Sequence, residues 1–149
     1  MTTEINRILF GGVSLNVPQD WKVSTEMYDD NGIDRASIAI EAPEGPASVI
    51  LSFGDMPEGS DAMIEATETF EDLMEEEADE LDAYNFNGWE GWGFDYAAVE
   101  GEEDDEVEVV STFLCVNVDG RLLTLHITAA DDDQLEDLLD YLEENLDIE

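Results

Sequence analysis

The sequence is poor in positive charge. Its 149 residues contain four lysines and arginines against 41 aspartates and glutamates, so the formal net charge at pH 7 is −37. Contact with nucleic-acid phosphates needs a basic surface, and this composition therefore argues against direct nucleic-acid binding. Repulsion between like charges also argues against docking on an anionic membrane surface.

Cysteine and histidine are equally scarce, with one residue of each, Cys115 and His126. An intrachain disulfide is therefore excluded, and so is a structural zinc site, which needs four such ligands. The first ten residues, MTTEINRILF, contain no basic segment followed by an apolar stretch, and no apolar run approaches the ~18 residues that span a membrane. We predict a protein without a signal peptide or membrane span, located in a reducing cytoplasm.

The acidity has four explanations that the sequence leaves open. It can serve solubility alone, or it can match a high-salt cytoplasm, for which the single lysine, Lys22, is typical. It can steer a basic partner protein to the surface, or it can mimic DNA and occupy the site of a nuclease or a DNA-binding protein. In every case the hydrophobic fraction of 43% is enough to build a core.

Alternating apolar and polar residues predict strands along much of the chain. The segments GVSLNV and ASVILSF are two of them, and Asn31-Gly32 and Asp119-Gly120 are typical of two-residue hairpin turns. A two-residue turn defines which residues face each other, and both hairpins then acquire one apolar face. The predicted pairs are Met27 with Ala36, Thr25 with Ile38, Val23 with Ile40, Val116 with Leu123, Leu114 with Leu125, Thr112 with Ile127, and Val110 with Ala129.

Two segments have the period of a helix instead. Apolar residues recur at three- and four-residue steps from Ser60 to about Tyr84 and from about Asp131 to Leu146. Ser60 or Asp61 can cap the first helix, whereas Asp131 and Gln134 have capping-box spacing in the second. The acidic runs at 75–80 and 101–106 are expected to be a solvated helix face and a solvated loop. We predict a single α+β domain over residues 1–149, with an antiparallel sheet of about six strands flanked by a long central helix and a C-terminal helix.

The order of these elements resembles the PsbP-like family. The first strand ends in a Pro-x-x-Trp turn, Pro18 to Trp21, an Asn87-Gly88 pair precedes the strand after the helix, and Gly120-Arg121 stands in the last hairpin turn. The resemblance implies an antiparallel sheet flanked by helices. It also implies a protein-binding function, because relatives include an extrinsic photosystem subunit, a Ran-binding transport factor and Eag-type chaperones of secreted effectors. The extreme acidity departs from the usual charge balance of that family, and no binding residue has a matching motif.

The stretch NGWEGWGFDY, residues 87–96, concentrates aromatic residues. Trp89 and Trp92 are three positions apart, so a regular strand directs them to opposite faces of the sheet. If the acidic loop closes with residues of the same parity facing one another, Trp92, Phe94 and Tyr96 meet Val110, Thr112 and Leu114 and belong to the core. Trp89 then shares the other face with Phe113, Cys115 and His126, and we predict Trp89, Phe113 and His126 as partner-binding residues. Closure in the other parity exchanges these partners.

Only one pair of residues offers covalent catalysis. His126 is expected opposite Phe113, which makes Cys115 its diagonal neighbour at about 7–8 Å, within reach of an activated thiol. Nothing in the sequence supplies an oxyanion hole or a third orienting group, so a structural thiol is the preferred interpretation.

The carboxylates form no metal-binding pattern. YDDNGID matches a calcium loop at three positions, but the first and twelfth positions would be Met27 and Ile38, which cannot ligate. The runs at 101–106 and 131–133 lack ligand spacing. We therefore predict no metal and no cofactor.

The leading hypothesis is a non-enzymatic cytoplasmic adaptor or chaperone-like module whose sheet contacts a basic or amphipathic protein. The alternatives are an acidic inhibitor or immunity protein that mimics nucleic acid, and a small hydrolase that uses Cys115 and His126.

Overall fold

The computed structural model describes residues 5–30, 32–43, 46–74, 81–86, 88–100 and 107–148, which form two antiparallel sheets and two helices. The strands are β1 (Ile5–Phe10), β2 (Val13–Pro18), β3 (Lys22–Asp30), β4 (Ile33–Glu41), β5 (Ser48–Asp55), β6 (Asp82–Phe86), β7 (Trp89–Glu100), β8 (Val107–Val118), β9 (Arg121–Ala129) and β10 (Leu146–Ile148). The helices are α1 (Ala62–Met74) and α2 (Asp132–Asn145). The small sheet has the order β1-β2-β10, and the large one has the order β3-β4-β5-β9-β8-β7-β6.

Both predicted hairpin registers are confirmed. All three β3–β4 pairs and all four β8–β9 pairs stand opposite each other as expected. The turn between β8 and β9 has positive φ at both central residues, 49° at Asp119 and 81° at Gly120, as a type I′ turn requires. In the other turn Gly32 has φ 87°, and Asn31 lies outside the described residues.

The seven-stranded sheet lies between two layers, the small sheet with α2 on one side and α1 on the other. Its core face, which carries Leu51, Leu114 and Leu125, packs against the small sheet and α2 in one continuous apolar cluster. On the opposite side, which we call the outer face, α1 packs against β7 and β8. A smaller cluster lies there, around Ala66 and Cys115.

The helix boundaries follow their capping residues. Asp61 accepts a hydrogen bond from the Ile64 amide at 2.9 Å, so Asp61 caps α1. Asp131 accepts from the Gln134 amide at 2.8 Å and caps α2 as predicted. The Gln134 side chain reaches back to the Ala130 amide at 2.8 Å, one residue before the cap.

The predicted count of about six strands was too low, and the first helix was predicted too long. Tyr84 was assigned to the helix, but it lies in β6, which pairs with β7 across a tight turn at Gly88. Apolar residues such as Leu81 and Tyr84 fit a helical period by spacing alone, and pairing with a neighbouring strand overrides that signal. The short strands β1 and β10 were also missed. Residues 75–80 and 101–106, for which a helix face and a loop were expected, lie outside the described residues, and so does Asn87.

In the β7–β8 hairpin, even-numbered residues of one strand face odd-numbered residues of the other. The aromatic assignment was based on the opposite closure, in which residues of the same parity face one another. Trp92 faces Cys115 and Phe94 faces Phe113, so these rings lie on the outer face. Trp89 lies on the core face, packed against the main apolar cluster. The prediction that Trp89 shares a face with Phe113 and His126 was therefore wrong. A one-residue change of register exchanges the two faces of a strand, and the composition of a long loop does not specify it.

Close packing of β7 on β8 leaves no room for a side chain at Gly93. A Cβ atom at this position would lie 2.3 Å from the Phe113 carbonyl oxygen and 3.1 Å from the Leu114 Cα atom, both of which belong to the backbone. We expect Gly93→Ala to lower the free energy of unfolding by about 3 kcal/mol, measured by urea denaturation at constant ionic strength. Gly88→Ala is the control, because its Cβ would meet nothing within 4 Å and only its φ of 88° is strained. Its expected loss is about 1–2 kcal/mol, and equal losses in the two variants would contradict the packing explanation.

Candidate functional site

One row of side chains crosses the outer face from strand to strand. We call this line of directly opposed residues the outer row. It consists of Ser24, Ala39, Ile50, His126, Phe113 and Phe94 on β3, β4, β5, β9, β8 and β7. Opposed residues on one face contact each other, so this row forms a continuous band across the sheet.

Exposure rises along the outer row from β7 to β5. Phe94 is buried beneath α1, where its ring meets Phe70 edge-to-face at a centroid distance of 5.0 Å. Phe113 and His126 are half-buried, and Ile50 is 48% exposed. Away from α1, therefore, the apolar part of the row faces solvent.

Aromatic rings hold the middle of the outer row in place. The rings of Phe94 and Phe113 lie 5.8 Å apart, and those of Phe113 and His126 lie 6.1 Å apart. Tyr96 stacks on His126 at 6.0 Å, and its hydroxyl lies 2.6 Å from the Nε2 atom. Packing and this hydrogen bond restrict the rotation of the rings.

Short hydroxyl side chains flank the outer row on both sides. Ser52 and Thr124 form a hydrogen bond on one side, and Ser111 and Thr128 form one at 3.1 Å on the other. Each of the four lies two positions from a member of the outer row on its own strand, so all four are on the outer face. Ser52 and Thr124 are partly exposed and smaller than the neighbouring Ile50, whereas Ser111 and Thr128 are buried.

The structure brings two of the three predicted site residues together. Phe113 and His126 are neighbours in the outer row, whereas Trp89 lies on the other face of the sheet. Tyr96 joins His126 in its place. The exchange of Trp89 for Tyr96 follows from the other closure of the acidic loop, which the sequence left open. No signal in the sequence singled out Ile50.

Cys115 is a poor candidate for a nucleophile. Burial, with a smaller contribution from Glu65 and opposed by Arg35, raises the pKa of the Cys115 thiol to about 12. Only the thiolate attacks, so this environment suppresses the reactivity that a hydrolase would need. Arg35 is itself buried and donates through Nη2 to the Asp55 carbonyl oxygen at 3.3 Å, beside a cavity of about 220 Å³ that also borders Cys115 and Glu65.

The described carboxylates at the start of α2 interact with the helix itself. Asp131 caps α2, and Asp132 and Asp133 occupy its first turn, where negative charge suits the helix dipole. Within the described ranges, no group of three or more histidine, cysteine, aspartate or glutamate side chains is placed to hold a metal ion. The run at 101–106 lies outside those ranges. Neither described helix is long and apolar enough to cross a membrane.

Solved structures with the same arrangement identify the fold. The structure is similar to that of cyanobacterial PsbP (CyanoP) from Synechocystis sp. PCC 6803, with a TM-score of 0.63 over 100% of this chain and 95% of that one. The fold is PsbP-like. The PsbP-like fold that the order of elements implied is thereby confirmed. Sequence identity is 16%, so the similarity concerns the fold and transfers no binding residue.

A second similar structure comes from Bacteroides thetaiotaomicron VPI-5482. It superposes with a TM-score of 0.57 and 15% identity, and the match covers 93% of this chain but 45% of that chain. This chain therefore matches less than half of that longer chain. No protein-family model matches the sequence, and no curated protein matches it significantly.

The raised pKa of Cys115 predicts a pH dependence of stability. Between the ordinary thiol pKa of 9.0 and about 12, the unfolded chain releases the thiol proton and the folded chain keeps it, so rising pH favours unfolding. From pH 8 to pH 10 we expect this residue alone to remove about 1.4 kcal/mol of stability. Urea denaturation under reducing conditions, at both pH values, measures the effect.

Cys115→Ala is the matched variant for that measurement. It loses packing equally at both pH values and leaves every other ionisable side chain in place. The wild type should therefore lose more stability than the variant between pH 8 and pH 10. The same loss in both proteins would contradict a protonated, buried thiol.

Proposed function

We propose that this protein is a non-enzymatic, cytoplasmic adaptor or chaperone-like module that binds a partner protein through the outer row. The observation that carries the proposal is the exposure of Ile50. β5 lies between β4 and β9 in the sheet, and an isoleucine in such an interior strand is usually covered by a second layer. Here 48% of its surface faces solvent, beside the half-buried His126.

The surroundings of Ile50 resemble the centre of a binding surface. Aromatic residues such as Phe113, Tyr96 and His126 combine apolar area with few rotatable bonds, which lowers the entropy lost on binding. Hydroxyl groups at Ser52 and Thr124 border the apolar centre on one side, as the polar rim does in known interfaces. A partner's apolar side chains would cover the centre, and its polar groups would meet the hydroxyl groups.

Charge favours a basic or amphipathic partner. Glu26 and Glu41 are exposed on the outer faces of β3 and β4, and the chain as a whole carries −37. A cationic protein would be attracted from a distance and would associate faster at low salt. The single described thiol, Cys115, is buried and free, which is compatible with the cytoplasm proposed here.

The distribution of charge does not favour the mimic of nucleic acid. That function needs the acidic groups aligned on one side of the molecule. Acidic residues instead line α1 on the outer face and α2 on the core face, as Glu68 and Asp137 illustrate, so negative charge points in opposite directions. The high pKa of the Cys115 thiol likewise does not favour the hydrolase.

Loss of a partner on mutation of the outer row tests the proposal. Wild-type protein immobilised in native lysate at low salt should retain one protein stoichiometrically, and that protein is then purified for titration. We expect Ile50→Ser to weaken its binding at least tenfold, because apolar contact at the centre of the interface is lost. Binding of the wild type should also weaken as salt is raised.

Leu9→Ser is the matched control. Leu9 is 61% exposed, but it lies on β1 in the small sheet. This variant should bind the partner as the wild type does, and denaturation should show both variants folded. Recovery of no stoichiometric protein would refute the binding function, whereas equal effects of the two variants would refute the location of the interface.

A further inference from the structure

A separate apolar cleft opens between α2 and the Pro18–Trp21 turn. It has a volume of about 290 Å³, and its walls include Trp21, Leu138 and Tyr141. Its floor is formed by Ile40 and Val49, which belong to the core face of β4 and β5. The cleft is therefore on the opposite side of the sheet from the outer row.

The walls of the cleft are held by hydrogen bonds and by the core. The Tyr141 hydroxyl donates to the Asn16 carbonyl oxygen at 2.6 Å, which ties α2 to β2. The Trp21 amide donates to the Pro18 carbonyl oxygen at 3.1 Å, which closes the turn that carries the indole. Such a cleft exists before a ligand arrives, so little binding energy is spent on forming it.

The rim of the cleft carries negative charge. Asp137 lines it from the exposed side of α2, and Gln134 supplies an amide one turn earlier. Among the described lining residues there is no lysine or arginine to neutralise this carboxylate. An apolar surface next to an indole and an acidic group is the combination that recognises an organic ammonium ion.

We propose that this cleft binds a small apolar cation, with its hydrocarbon body against Trp21 and Leu138 and its ammonium group at Asp137. The volume is close to the lower limit for small-molecule sites, so the ligand is a compact ring or short chain. The net charge of −37 concentrates cations at the surface and repels anions of the same shape. This proposal does not depend on the partner protein proposed above.

Three probes of similar shape and different charge test the site. 2-Phenylethylammonium, uncharged 2-phenylethanol and anionic 3-phenylpropionate are titrated into the full chain, and amide NMR shifts are followed at 0.15 M salt, where non-specific attraction is screened. The ammonium ion should saturate with a dissociation constant on the order of 1 mM and shift the resonances of Trp21, Gln134 and Asp137. The alcohol should bind more weakly, and the anion should not bind.

Two substitutions that each remove one negative charge locate the ammonium group. Asp137→Asn should weaken binding of the ammonium ion about fivefold and leave the alcohol unchanged. Asp133→Asn removes the same charge from α2 at an exposed position outside the cleft, so its effect should be less than twofold. Trp21→Leu should weaken both the ammonium ion and the alcohol, because the indole wall contacts the hydrocarbon body.

The same titrations can overturn the proposal. Shifts that spread over the acidic surface without saturating would show attraction to net charge alone. Equal losses in Asp137→Asn and Asp133→Asn would show the same. An alcohol that binds as tightly as the ammonium ion would exclude a cation site, and the absence of any shift at Trp21 with all three probes would exclude a binding site altogether.

Discussion

Burial of the core face of the seven-stranded sheet is the interaction on which the rest of the structure depends. Leu51, Leu114 and Leu125 are fully buried there beneath α2 and the small sheet. A chain with 41 acidic and four basic residues has few ion pairs available and strong repulsion between its carboxylates. Apolar contact must therefore supply most of the cohesion, and the carboxylates remain at the surface, where water and salt screen them.

The two proposed binding surfaces follow from how that face is covered. α2 packs on the core face and leaves a cleft beside Trp21, where the helix, a turn and two strand ends meet. On the outer face α1 packs against β7 and β8, and the exposure of Ile50 on β5 reflects the limit of that cover. Both surfaces are apolar areas beside acidic residues, so both favour ligands that combine hydrocarbon with positive charge.

The sequence was a good guide to part of the candidate site and a poor guide to the rest. Phe113 and His126 were predicted to be neighbours because their hairpin turns at Asp119-Gly120, and they are neighbours. Trp89 was assigned to the same face and lies on the other one, where Tyr96 was expected. The exposure of Ile50 could not be predicted, because alternation assigns a residue to a face without telling which helix covers that face.

What the sequence determined by itself is local. Two-residue turns with glycine set the registers of β3–β4 and β8–β9, and cap residues such as Asp61 and Asp131 set the starts of both helices, because these interactions act within a few residues. Only the tertiary structure decided the parity of β7 against β8, the pairing of β6, β1 and β10, and the face that each helix covers. The β1–β2 and β6–β7 pairs are local hairpins, whereas β10 joins β2 from the far end of the chain. All of these choices are settled by which combination buries the most apolar surface under one core.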